Sequence, residues 1–175
     1  MPGKAYSIDG EEAEALRRVT DFVLTDIRCF ERTTLSGHVT ASAWIVDPQR
    51  TSTLLVLHRK LGKWLQPGGH CDGETDPAAV AMREAHEETG LTRLRQIRPA
   101  IFDVDVHHIP ARSGEREHLH YDIRFLVEAD RTETVEANVE SLAVEWFGFD
   151  RLAAIGADRS VLRMAAKTPH RTVKP

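Results

Sequence analysis

With 175 residues, 41% of them hydrophobic and 29% charged, the chain has the make-up of a globular protein and the length of one domain, enough to bury roughly 70% of the surface its unfolded form exposes. A net charge of −4 with histidines neutral argues against non-specific binding to duplex nucleic acid. Cys29 and Cys71 are too few for a disulfide scaffold, no apolar run reaches the length of a membrane span, and the N-terminus has no apolar run of the secretory kind. A reducing cytoplasm is therefore the expected compartment.

Residues 1–8 carry no clear element. Asp9 with Glu12 three residues on has the form of a capping box, and the spacing predicts a helix reaching Phe30, with Leu16, Val19, Val23 and Ile27 inward and Arg17, Arg18, Asp21 and Arg28 outward. Such a segment serves either as a packed extension or as a surface for homodimerisation. His38–Val46 and Thr53–His58 are rich in residues that suit strands, and Asp47-Pro48 between them marks the turn of a hairpin. A basic cluster, His58-Arg59-Lys60, follows.

Gly68 to Leu91, GGHCDGETDPAAVAMREAHEETGL, is the most informative stretch. Asp76 is placed to cap a helix whose first position is Pro77, where the missing N–H costs nothing, and Gly90 suits the left-handed residue that ends it. Glu84, Glu87 and Glu88 then share one face at i, i+3 and i+4. Like charges at that spacing repel, and one guanidinium, Arg83 with Glu87 one turn on, cannot neutralise three carboxylates. The pattern reads either as a solvated acidic helix or as a site for a hard divalent cation, Mg²⁺ or Mn²⁺, which prefers oxygen ligands. Ala78, Ala81 or Met82, and Ala85 make the opposite face small enough to lie close to a sheet. Within the turn, His70 is either a buried structural histidine or a further ligand or proton carrier.

Ile101–His108 alternates, with Phe102, Val104 and Val106 on one side, and Glu117–Glu128 returns with Tyr121, Ile123, Phe125 and Val127 opposite His118, His120, Asp122 and Arg124. A hairpin between them brings His107 or His108 near His118. The polar strip admits three readings: substrate contact by His118, His120 and Arg124, a solvated strand, or a transition-metal site, since His118-x-His120 projects two imidazoles the same way. Ser141–Phe149 reads as a last strand, Asp150 caps a short helix through Ala154, Arg159–Ala166 forms another, and the tail from Lys167 is loose.

Gly69, Glu74, Arg83-Glu84, Glu87-Glu88 and Gly90-Leu91 together resemble the signature of the Nudix hydrolases. Glu74 stands one residue nearer the glycine than the family spacing, which suggests a shortened turn, and Ala85 replaces a larger aliphatic. The resemblance implies an α/β fold, an α/β/α sandwich with a mixed sheet between helices, divided here into an N-terminal helical extension over 1–37 and a hydrolase domain over 38–175. It further implies attack of water at phosphorus in a diphosphate linkage of a small, nucleotide-derived substrate. On that reading Glu84, Glu87, Glu88 and the Gly69 carbonyl hold Mg²⁺ or Mn²⁺, Arg83 orients a glutamate, and Glu84 is the candidate general base. Gly68, Glu74 and Gly90 support the motif, while Arg59, Lys60 and His70 approach the substrate. The family's fold also serves isopentenyl diphosphate isomerase, so Cys71 and the histidines admit an isomerase. A silent nucleotide-binding module is a third possibility.

Overall fold

The computed structural model describes residues 10–111 and 116–169. In chain order the elements are α1 (Gly10–Thr25), β1 (Gly37–Val46), β2 (Ser52–His58), β3 (Lys63–Leu65), β4 (Gly68–His70), α2 (Pro77–Thr89), β5 (Leu94–Gln96), β6 (Asp103–Ile109), β7 (His118–Ala129), β8 (Ser141–Gly148) and α3 (Arg159–Lys167). One mixed sheet runs β3-β2-β1-β7-β5, with β4 also on β1, β6 also on β7 and β8 on β2. Its only parallel pair among the described strands is β1 with β7, in register from Gly37↔Leu119 to Val46↔Glu128.

All ten residues of β1 are buried, as expected of a central strand covered on both faces. Val39, Ala41, Ala43 and Ile45 join Ala15 and Val19 of α1 and Val80, Ala81 and Ala85 of α2 in one core layer. Trp44 and Val46 join Leu126, Leu152 and the α3 residues Val161 and Met164 in the other. The sheet thus lies between helices, the sandwich that the sequence implies, and alanines on β1 and α2 let that helix approach closely.

The structure corrects three details. First, α1 ends five residues earlier than predicted, because the Asp26 carboxylate accepts the Arg28 amide at 2.9 Å and begins a run of turns through Thr34. Second, its buried face keeps Val19 and Val23, as predicted, but turns away from Leu16 and Ile27. Leu16 is exposed, Ile27 is 98% exposed, and contact is made through Ala15, Val19 and Phe22, whose ring stacks on Tyr121 at 4.0 Å. Third, Lys167 ends α3 in the interior and pairs with Glu12 and Asp103, so the chain is packed rather than loose at Lys167, while the capping box predicted for Asp9 and Glu12 turns on Asp9. Asp9 lies outside the described residues. A 3-10 turn at Phe149–Arg151 stands where a short helix was expected, and Asp158, accepting the Val161 amide at 3.0 Å, caps α3.

The rotated face makes a stability prediction. Phe22→Ala should cost about 1–3 kcal/mol, the loss of a half-buried stacked ring, whereas Leu16→Ala should stay within about 0.5 kcal/mol. Urea midpoints at unchanged slope would measure both, and equal losses would restore the Leu16 face. Among the described residues no helix is long and apolar enough to cross a membrane.

Candidate active site

The catalytic candidates sit where β4 meets α2. Asp76 accepts the Ala78 and Ala79 amides at 3.0 and 3.2 Å, Pro77 takes the first helical position, and Gly90 closes the helix at φ 72° with its N–H on the His86 carbonyl. Both ends of α2 therefore form as the sequence predicts. Fixing the helix on β1 and β4 fixes the glutamates.

Glu88 is only 5% exposed and accepts the Gly68 N–H at 3.0 Å. Glu84 presses against Gly69, where a β-carbon would stand 2.6 Å from the carboxylate, so only glycine admits that approach. Burial pushes the Glu88 carboxyl up to about 7, with Glu84, Glu140 and Glu87 adding repulsion, and burial also raises Glu84. Glu87 stays exposed.

Arg83 donates to Glu84 at 2.9 Å and to the His70 carbonyl at 3.4 Å, while Glu87 lies 3.9 Å away. Its main partner is thus the adjacent glutamate rather than the one a turn on, because the side chain folds back over β4. Glu74 is exposed and accepts the Asp76 amide at 3.1 Å, which places it at the helix start. A cluster of half-buried carboxylates with a single guanidinium beside it has an unmet demand for positive charge, and its all-oxygen donor set fits Mg²⁺ or Mn²⁺.

Glu140 is the carboxylate that sequence reasoning missed. It adds to the negative potential on both Glu84 and Glu88, yet it lies in an aperiodic loop that nothing local marks. Arg59 explains how that loop is held: its amide donates to the Glu140 carbonyl at 2.9 Å and its guanidinium to the Val139 and Ser141 carbonyls at 2.9 and 3.2 Å. Arg59 therefore ties down the loop rather than reaching outward for phosphate. Lys60 is exposed at the same turn.

The strip on β7 is not an open substrate wall. The predicted hairpin forms, but its register sets His107 opposite His120 and Ile109 opposite His118, and His118 is buried. His70, on β4, lies against this group, its ring centred 5.1 Å from that of His120.

Arg124, expected to contact substrate, is 2% exposed and bonds Asp122, Asp103 and Asp105 at 2.7, 3.1 and 3.3 Å. Asp122 also accepts the hydroxyls of Thr40 and Ser42. Arg124 is committed to this buried network, because Arg163 and Lys167 of α3 cover Asp103 from the other side.

Comparison with known proteins agrees with the fold. The dihydroneopterin triphosphate pyrophosphohydrolase assigned as probable in Lactococcus lactis subsp. cremoris is 32% identical over 83 residues, 46% of this chain and 49% of that protein; the match thus spans about half of the relative's length. The Caenorhabditis elegans Ap4A hydrolase shares the fold at a TM-score of 0.59 and 18% identity, over 74% of this chain and 93% of that one. The E. coli dihydroneopterin triphosphate pyrophosphohydrolase does so at 0.56 and 17%, over 74% and 92%. Residues 37–166 match the NUDIX domain, which takes in β1, the glycine turn, α2 and most of α3, and the chain belongs to the NUDIX family.

Proposed function

We propose that this protein hydrolyses a diphosphate linkage in a small nucleotide-derived substrate, a nucleoside diphosphate joined to another moiety, by attack of water at phosphorus with Mg²⁺ or Mn²⁺. The observation that carries this reading is the packing of Glu84 and Glu88 against the Gly68-Gly69 turn, with Glu87 beside them on the same helix face and Arg83 the one guanidinium paired with them among the described residues. Glu84, Glu87, Glu88 and the Gly69 carbonyl are the groups to hold the ion. Bound there, it supplies charge to offset phosphate oxygens and to acidify water.

The chain's own residues do the rest. The Gly68 N–H fixes one Glu88 oxygen and leaves the other to the site. Arg83, anchored on Glu84 and the β4 backbone, sets the direction of that carboxylate, and Glu84, with its proton affinity raised by burial, takes the water's proton. Lys60, exposed at the turn after β2, is the candidate for contact with substrate phosphates. The polyphosphate compounds named for the relatives, dihydroneopterin triphosphate and Ap4A, contain linkages of this kind.

The isomerase alternative draws on Cys71. That thiol is 2% exposed in the core and burial pushes it up to about 12, which keeps it neutral and away from substrate. A silent module would be expected to lose ligands, and this chain retains all three glutamates.

A screen of diphosphate-linked compounds with Mg²⁺ and Mn²⁺ in ¹⁸O-water tests the proposal. Label entering one phosphate product is expected, and absence of turnover across nucleoside triphosphates, dinucleotides and nucleotide sugars would overturn it. Arg83→Lys should lower kcat about tenfold or more at similar stability, because an ammonium cannot reproduce the planar fork that spans Glu84 and the His70 carbonyl. Full activity in that variant would reduce Arg83 to a surface charge.

A further inference from the structure

His38 begins the inference because it is 2% exposed and neither of its ring nitrogens has a hydrogen-bond partner. Buried polar side chains nearly always find a partner, so two orphaned nitrogens on one ring point to something that the protein atoms do not supply. Around it the parallel β1–β7 register sets His38 beside His120, and His118 follows on the same face two residues earlier. One nitrogen from each of His38, His118 and His120 lies within 4.8 Å of the other two.

The proton positions favour inward lone pairs. His118 Nδ1 lies 2.8 Å from the Arg116 carbonyl, which can only accept, so Nδ1 carries the proton and Nε2 presents its lone pair toward His120 Nε2 at 3.1 Å. An outer ring N–H held by a backbone carbonyl is the arrangement that orients imidazoles on metals. His38 is buried with its ring centred 4.9 Å from that of His118 and 4.8 Å from that of His120, and the neutral imidazole is the form that ligates.

We propose that His38, His118 and His120 form a second metal site, separate from the glutamates, for a transition ion of the Zn²⁺ class. Three neutral imidazoles suit Zn²⁺, Co²⁺ or Ni²⁺, whereas the hard ions suited to the carboxylates select oxygen. His70, whose ring is centred 4.9 Å from that of His38, is placed to complete a fourth position. The ion would tie β1 to β7 directly beside β4, the short strand whose Gly69 lies against the Glu84 carboxylate of α2. Sequence alone pairs His118 with His120 but gives no sign of His38, which joins them only through a parallel pairing across 82 residues.

The test uses the full chain purified without a polyhistidine tag. After chelation and buffer exchange, Zn²⁺ should rebind at one equivalent per chain and raise the melting temperature, and Co²⁺ should give the intense visible absorption of a low-coordinate nitrogen site. A large excess of Mg²⁺ should not displace it. Glu87→Gln should keep this equivalent, and His38→Ala and His118→Ala/His120→Ala should each lose it. No Zn²⁺ uptake by the wild type, displacement of Co²⁺ by Mg²⁺, or an unchanged cobalt spectrum in a folded histidine variant would each overturn the proposal. Should the histidine variants fail to fold, the wild-type cobalt spectrum and the Mg²⁺ competition still decide it.

Discussion

Glu88→Gln should reduce diphosphate hydrolysis at least about tenfold, and in the absence of divalent metal it should make the protein more stable above neutral pH. Both effects have one cause. Glu88 is held almost out of water with a single N–H on it, so its ionised form is costly until a cation arrives. Its carboxyl titrates at about 7 in the folded chain against an ordinary 4.5. Between those values the folded state binds more proton than the unfolded, so wild-type stability falls as pH rises from about 4.5 to about 7 and levels off above. Glutamine has no charge to strand, so its curve should lack that fall. Adding Mg²⁺ or Mn²⁺ at pH 8 should raise the wild-type melting temperature by mass action and leave Glu88→Gln nearly unmoved. Glu87→Gln, whose side chain is exposed, should lose activity with no comparable change in the pH–stability curve. Wild-type turnover in both variants would remove the metal assignment, and identical pH–stability curves would remove the burial argument.

What the sequence made legible follows from how local each feature is. The helix that carries the glutamates needs only its own residues: Asp76 and Pro77 start it, Gly90 stops it, and the i, i+3, i+4 spacing fixes which side chains are neighbours. The β6–β7 hairpin is similarly local, and only its register, with His107 rather than His108 meeting the strip, required the structure. The features that escaped are made across long separations. His38 meets His120 through parallel strands, and the loop of Glu140, whose charge bears on Glu84 and Glu88, is held by Arg59, some eighty positions away. Alternation on β7 correctly put His118, His120, Asp122 and Arg124 on one face. It could not tell that Arg124 on this face is enclosed by Asp122, Asp103 and Asp105, because no period within β7 records what lies beside it on β6. The face of α1 was misjudged for a related reason: a helical stripe through Leu16 is as regular as one through Ala15, and Tyr121 chooses between them by accepting the Phe22 ring.

Arg124→Ala should be among the most destabilising single substitutions in the described chain, costing about 3–5 kcal/mol, the range seen when one partner of a buried ion pair is removed. Its guanidinium is the group shared by Asp122, Asp103 and Asp105, and without it Arg163 and Lys167 alone would face Asp103, Asp105 and Glu12 while Asp122 lost the guanidinium it pairs with. Asp122 would keep the hydroxyls of Thr40 and Ser42, which cannot offset a full charge away from water. Arg124→Lys should recover only part of the loss, since a point charge cannot bridge the three acceptors as the planar fork does. The pH dependence gives an independent check. Against the cost of burial, Arg163, Arg124 and Lys167 hold Asp103 below its ordinary 3.8, and the His107 side-chain hydrogen bond, with Arg124 and Arg163 behind it, holds Asp105 down at about 2, so their contribution is fully present above about 4 and is lost as pH falls toward about 2. Wild-type protein should therefore lose this part of its stability as pH falls through that window, and Arg124→Ala, whose stranded aspartates gain by taking up protons, should lose much of its deficit there. If Arg124→Ala instead melts like the wild type and raises KM, the arginine contacts substrate and the network is held by α3 alone.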